Sequence, residues 1–107
     1  MTFNEYQQRS AAFASRTAKL TREFPLAMWT LGLAGETGEL TEKVKKRFRD
    51  GTQNEAEILK EAGDVLWYLA QIVSACGATL DDVATGNLAK LESRAARGVL
   101  SGSGDNR

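Results

Sequence analysis

Four carboxylates stand out as residues that could do chemistry: Glu36 and Glu39 in "LAGETGEL", and Glu61 and Asp64 in "LKEAGDVLWYL". The members of each pair are three residues apart. On a helix that spacing puts both on one face, within about 60° of each other around the axis. Each pair is therefore an oxygen clamp, and two such helices side by side would bring four carboxylates to one spot. Their mutual repulsion is tolerable only with protons or metal ions between them. Hard oxygen ligands of this kind suit magnesium or manganese, which keep several waters and are completed by substrate phosphates.

The plain alternative is a solvated acidic face with helix ion pairs, for example Glu39 to Lys43 or Lys60 to Asp64. On spacing alone it is the favourite. Three features count against it: both pairs adjoin apolar segments, both are interleaved with small residues, and the sequence has no histidine. The missing histidine removes imidazole bases, haem ligation, the usual zinc sets and the Glu-x-x-His pattern of di-iron bundles. An active site here runs on carboxylates.

The elements that must position them read as helices. Thr2 and Glu5 form a capping box for a first helix, with Phe3, Tyr6, Ala12 and Phe13 as its apolar residues and an end near Thr17 to Leu20. Pro25 opens a second that runs to about Arg49 and stops at Asp50 and Gly51. Thr52 with Glu55, or Asn54 with Glu57, caps a third that ends at Gly77, and Thr79 with Asp82 caps a fourth that ends at Arg97. No alternating strand signal is present. The class is all-α, a four-helix bundle with a single domain over 1–97 and a flexible Gly/Ser-rich tail over 98–107, which could also fold as an anion nest.

In the third helix Val65, Leu66, Trp67, Leu69, Ile72 and Val73 point nearly all round the axis. Such a helix must be covered all round. A domain of 107 residues buries only about 60–70% of its chain surface. A homo-oligomer, most simply a two-fold dimer, is the expected cover. In the second helix Gly32, Gly35 and Gly38 each cost about 1 kcal/mol relative to alanine. Close approach by a neighbouring helix or a ligand is the usual compensation.

Lys+Arg and Asp+Glu balance at 14 each, so the chain has no overall bias toward nucleic acid or anionic membrane. It has no long apolar run and no leader pattern, so a cytoplasmic protein is expected. The lone Cys76 lies in an apolar run and reads as core. The basic run from Lys43 to Arg49 complements the helix dipole, and Lys46 within it could reach a phosphate. Asn87, Lys90 and Arg94 place an amide and two cations on one face of the fourth helix. Phe48, Trp29, Trp67 and Tyr68 are aromatic candidates for stacking on a base, though packing is the first expectation for each.

"LGLAGETGEL", "LKEAGDVLWYL" and "NLAKLESR", taken in that order and spacing over about residues 26 to 97, resemble the MazG-like all-α nucleoside triphosphate pyrophosphohydrolases. The closing "GSGDNR" is similar to the end of a subgroup of small single-domain members. The resemblance implies that Glu36, Glu39, Glu61 and Asp64 are ligands of magnesium, with manganese possible. It also implies that Asn87, Lys90 and Arg94 contact phosphate or the metal-ligating carboxylates, and that the chain forms a dimer or a dimer of dimers. Many members have two adjacent glutamates opening the first motif, and Gly35 stands at the first of those positions. The identity of the general base, Glu36 or Glu39, and the number of metals are open at this point. The expected activity is magnesium-dependent hydrolysis of an NTP or dNTP to the monophosphate and pyrophosphate. The alternatives are a non-catalytic helical oligomerisation module and a nucleotide-binding regulator.

Overall fold

The computed structural model describes residues 1–14 and 22–107. Four helices follow one another: α1 (Phe3–Ala14), α2 (Pro25–Asp50), α3 (Glu55–Ala75) and α4 (Leu80–Ala96). The fold is an all-α, four-helix bundle. The expected end of the first helix, near Thr17 to Leu20, lies outside the described residues.

Local chemistry sets most of the boundaries. The capping box at α1 is reciprocal: Thr2 N donates to Glu5 Oε2 at 2.6 Å and Glu5 N to Thr2 Oγ1 at 3.1 Å. Pro25 occupies the first turn of α2, and Gly51 ends it in the left-handed region at φ 66°, donating to Arg47 O at 3.0 Å. Thr79 accepts from Asp82 N at 3.1 Å to start α4. The start of α3 differs from both expected caps. Asn54 precedes the helix, but its side chain turns away and donates to Lys43 O at 2.8 Å, while Glu55 pairs with Arg47. Both contacts tie α2 to α3, so the turn residues close the hairpin instead of capping the helix.

That α2/α3 hairpin is the most extensive contact in the chain, and α1 and α4 pack beside α3. Among the described residues α2 meets neither α1 nor α4. Gly32 permits the hairpin to close: a Cβ there would lie 2.1 Å from Tyr68 Cε1. Trp29, Trp67 and Tyr68 meet around this point, with Trp67 edge-on to both Trp29 (centroids 5.5 Å) and Tyr68 (4.9 Å). Gly35 and Gly38 have open space where a side chain would go, so close helix approach explains only the first glycine of the stripe.

The buried apolar cluster is small: Ala70, Val73 and Leu80, with Tyr6 and Ala78 against it. A polar network does the rest of the work of seating α1. Gln7 donates to Ser74 Oγ and Ala78 O, both at 2.9 Å, and accepts from Leu80 N at 2.8 Å. Ser10 receives Gln71 Nε2 at 3.1 Å and, through its carbonyl, Trp67 Nε1 at 3.3 Å. The buried residues of α1 are thus Gln7 and Ser10, with Tyr6 partly buried beside them, whereas Phe3 and Phe13 are exposed. Cys76 is exposed as well. It is the C-cap residue of α3, one position beyond the last residue of the helix, so its place in an apolar run does not carry it into the core.

Candidate active site

The first acidic motif lies midway along α2 and the second in the first half of α3, facing each other across the hairpin. Glu36, Glu61 and Asp64 each offer a carboxylate oxygen, and these oxygens lie within 4.8 Å of one another. Glu36 and Glu61 are half-buried and Asp64 is exposed, so the cluster sits at the rim of the helix pair with one side open to solvent. The Glu36 carboxyl is pushed above its ordinary value of 4.5, first by partial burial and then by the charges of Asp64, Glu61 and Glu39. Three oxygens at this separation, with mutually repelling charge, fit a divalent cation that takes oxygen ligands.

Glu39, one turn beyond Glu36, is exposed and stands outside the three-oxygen cluster, although its charge reaches Glu36. Lys43, a further turn along α2, places Nζ 3.7 Å from Glu61 Oε1 and partly offsets the acidic charge. Its relevance was legible in outline, since Glu36, Glu39 and Lys43 follow one helix face at spacings of three and four. Tyr6 of α1 is near enough for Asp64 to act on it: its phenol is pushed up, by burial first and by Asp64 second. No local pattern could have indicated Tyr6, because α1 carries no motif and its approach depends on the Gln7 network. Lys46 is engaged with Glu42, its Nζ 3.9 Å from Glu42 Oε1.

Asn87, Lys90 and Arg94 lie along α4, which packs on α3 and α1. Asn87 borders a hollow with Leu66 and Leu69 of α3. Lys90 is exposed, whereas Arg94 is buried. Arg94 Nη2 donates to Asp105 O at 2.9 Å, to Asp105 Oδ1 at 3.2 Å and to Gly104 O at 3.5 Å. Lys90 Nζ lies 3.5 Å from the same Asp105 oxygen. Segment 98–107 therefore lies folded against the cations of α4, and Asp105 joins the functional candidates. Asp105 is the one acid of that segment, but only the fold shows which side chains of α4 it meets. A larger hollow, lined by Phe24, Pro25 and Leu31 at the start of α2, is almost wholly apolar and lies apart from the carboxylates.

Fold and site together define a helical protein whose clustered carboxylates can hold a divalent cation. Comparison with known proteins places it further. Residues 24–99, which span α2 to α4, match the MazG nucleotide pyrophosphohydrolase domain. The chain is also 47% identical over 87 residues to the Gene 37 protein of Mycobacterium phage L5, covering 77% of this chain and 76% of that protein. The chain belongs to the MazG nucleotide pyrophosphohydrolase domain family. No solved structure matches it. Among the described residues no helix is long and apolar enough to cross a membrane.

Proposed function

We propose that this protein hydrolyses a nucleoside triphosphate, ribo- or deoxyribo-, to the monophosphate and pyrophosphate, and that it works as a homo-oligomer. The observation that carries this is the meeting of Glu36, Glu61 and Asp64 across α2 and α3, in a chain of the MazG family. Those three side chains would hold magnesium, or manganese in its place. Such a cation supplies Lewis-acid charge beside the phosphates and acidifies a water.

The chain's own groups do the rest. Glu39 lies outside the three-oxygen cluster on the same helix, so it is the carboxylate available to take the proton of the attacking water. Lys43 projects toward Glu61 and is placed to steady a phosphate oxygen at the edge of the acidic cluster. Asn87, Lys90 and Arg94 on α4 steady the remainder of the phosphate chain, and Lys46 contributes only if it leaves Glu42. Trp29, Trp67 and Tyr68 pack on one another, which supports a role in fixing the hairpin ahead of one in stacking on a base.

Oligomerisation is supported by how little one chain encloses. Its radius of gyration is 16.5 Å, against about 13 Å for a compact domain of about 100 residues. Leu31 and Leu59 are more than half exposed, and Leu26 nearly half, on the two helices that carry the carboxylates. A second copy packed on this hairpin would cover them and enclose the site.

The test is pyrophosphate release from a panel of nucleoside triphosphates, with magnesium and with manganese, in the natural sequence and in Glu61→Gln. Turnover should depend on the cation and vanish in Glu61→Gln while circular dichroism stays unchanged. Retained turnover in that variant would overturn the assignment. Binding without cleavage in the natural sequence would instead mark a nucleotide-binding module.

A further inference from the structure

We propose that segment 98–107 is a displaceable anionic strap, in which the Asp105 carboxylate holds the place that a ligand phosphate takes between Lys90 and Arg94. The proposal rests on the phosphate-steadying role of α4 put forward above. One oxygen, Asp105 Oδ1, faces both cations, at 3.5 Å from Lys90 Nζ and 3.2 Å from Arg94 Nη2. A phosphate oxygen bound by the same two side chains would occupy that position.

Arg94 makes the two states exclusive. It is only 5% exposed, and its bonds to the strap all run through Nη2. Its Nε is buried without a partner, so the guanidinium has donor capacity that the strap does not use. While the strap is in place no ligand can reach this guanidinium. Arg94 can serve a phosphate only when Asp105 has left.

The strap is built to leave. Its root is firm: Val99 N donates to Arg94 O at 2.8 Å, and Gly98 turns the chain at φ 70°. Beyond that, it is held by polar contacts and not by apolar burial. Arg97 Nη2 donates to Arg107 O at 2.8 Å, Arg107 donates to Gly104 O and to Leu100 O, and Leu100 itself is exposed. The Asp105 side chain is 84% exposed. Ion pairs in such solvent are weak and screened by salt. A polyphosphate brings several charges where the strap offers one.

An internal competitor raises the apparent dissociation constant of every ligand that needs the site by one factor, the reciprocal of the open fraction. Removing the Asp105 charge should therefore tighten all phosphate ligands alike. Calorimetry on the full chain with inorganic tripolyphosphate and with pyrophosphate, in magnesium at low salt, reads this directly. Asp105→Asn should lower both dissociation constants by the same factor, about threefold to tenfold, and Lys90→Gln should raise both. Both side chains are substantially exposed, so both variants should keep the fold. Tripolyphosphate should also speed tryptic cleavage after Arg97 as the strap is released.

Unchanged or weaker binding in Asp105→Asn would overturn the proposal and leave Asp105 as a brace for Arg94. So would protection of Arg97 by tripolyphosphate, or the absence of binding in every variant. Tighter binding in Asp105→Asn by a chain that releases no pyrophosphate from any nucleotide would uphold the strap and refute the hydrolase, so the two failures are distinguishable.

Discussion

The α2/α3 hairpin and the α4 face carry opposite kinds of electrostatic arrangement. On the hairpin, carboxylates meet carboxylates, and Glu36 is pushed above its ordinary 4.5 by burial and by Asp64, Glu61 and Glu39. On α4, a carboxylate meets cations, and Asp105 is held below its ordinary 3.8 by its bond to Arg94 and by the charge of Lys90. A cluster of like charges is completed from outside, by a proton or a cation, whereas a clasp of opposite charges is complete in itself. The first arrangement recruits a ligand and the second must be opened by one. The geometry differs in the same sense, since the hairpin is tied by Asn54, Arg47 and the ring of Tyr68, while the clasp is tied through the exposed carboxylate of Asp105.

The sharpest division lies within the acidic motifs themselves. Asp64→Asn removes the charge of one of three converging carboxylates and should abolish both turnover and the rise in melting temperature expected of the natural chain in magnesium. Glu39→Gln should lower kcat by about 10²–10⁴-fold and keep the magnesium-dependent rise, because Glu39 stands outside the cluster. If Glu39→Gln also loses the thermal response, Glu39 is a ligand and the base is another group.

The glycine stripe gives the next largest effect, and it separates the closed part of the hairpin from the open part. At Gly32 a Cβ would lie 2.1 Å from Tyr68 Cε1, and the ring cannot simply swing aside because Trp29 and Trp67 flank it. Gly32→Ala should cost about 1–3 kcal/mol of stability, read as a lower midpoint in urea. At Gly35 nothing lies within 4 Å, so Gly35→Ala should stabilise the helix by roughly 0.5–1 kcal/mol. A loss of stability at Gly35 would show that a neighbouring copy approaches the backbone there.

This contrast also marks where the sequence stops being legible. Helix order, the Pro25 and Gly51 boundaries and the Thr79 cap all follow from local stereochemistry, and the structure has them as expected. The meeting of Glu36 with Glu61 and Asp64 followed from spacing plus antiparallel connection, which short loops nearly dictate. What did not follow were contacts made by single polar side chains over long sequence distances. Gln7 reaches Ser74, Ala78 and Leu80, and Asn54 turns back to Lys43 in place of capping α3. Glutamine and asparagine bear no pattern that says whether they face water or a carbonyl. Asp105 belongs to the same class, since composition marks segment 98–107 as polar and small, and only the fold shows which cations lie opposite it.

The opposite pKa directions predict opposite pH dependences in the metal-free chain. Glu36, with a folded value above 4.5, adds a penalty that is absent at lower pH and grows to its full size as pH rises through the raised value. Glu36→Gln should therefore be more stable than the natural chain at neutral pH, and the difference should close below about pH 4.5. Added magnesium should erase the advantage by stabilising only the natural chain. An equal melting temperature for the two at pH 7 would mean that the neighbouring carboxylates do not burden Glu36.

The smallest expected effect is at the clasp. Asp105, with a folded value below 3.8, adds stability that is fully present above 3.8 and fades as pH falls through the lowered value. The Asp105 side chain itself is 84% exposed, so Asp105→Asn should barely change the global melting temperature at any pH. The change should be local: hydrogen exchange of the backbone amides from Gly102 to Arg107 should quicken in the variant at neutral pH. In the natural chain the observed exchange rate, corrected for the intrinsic pH dependence, should rise toward the variant's as pH drops below 3.8. A global loss of stability in Asp105→Asn would mean that the segment is part of the fold proper. The contrast between a hairpin that awaits a cation and a helix face that releases an anion would then fail at α4 and survive at α2/α3.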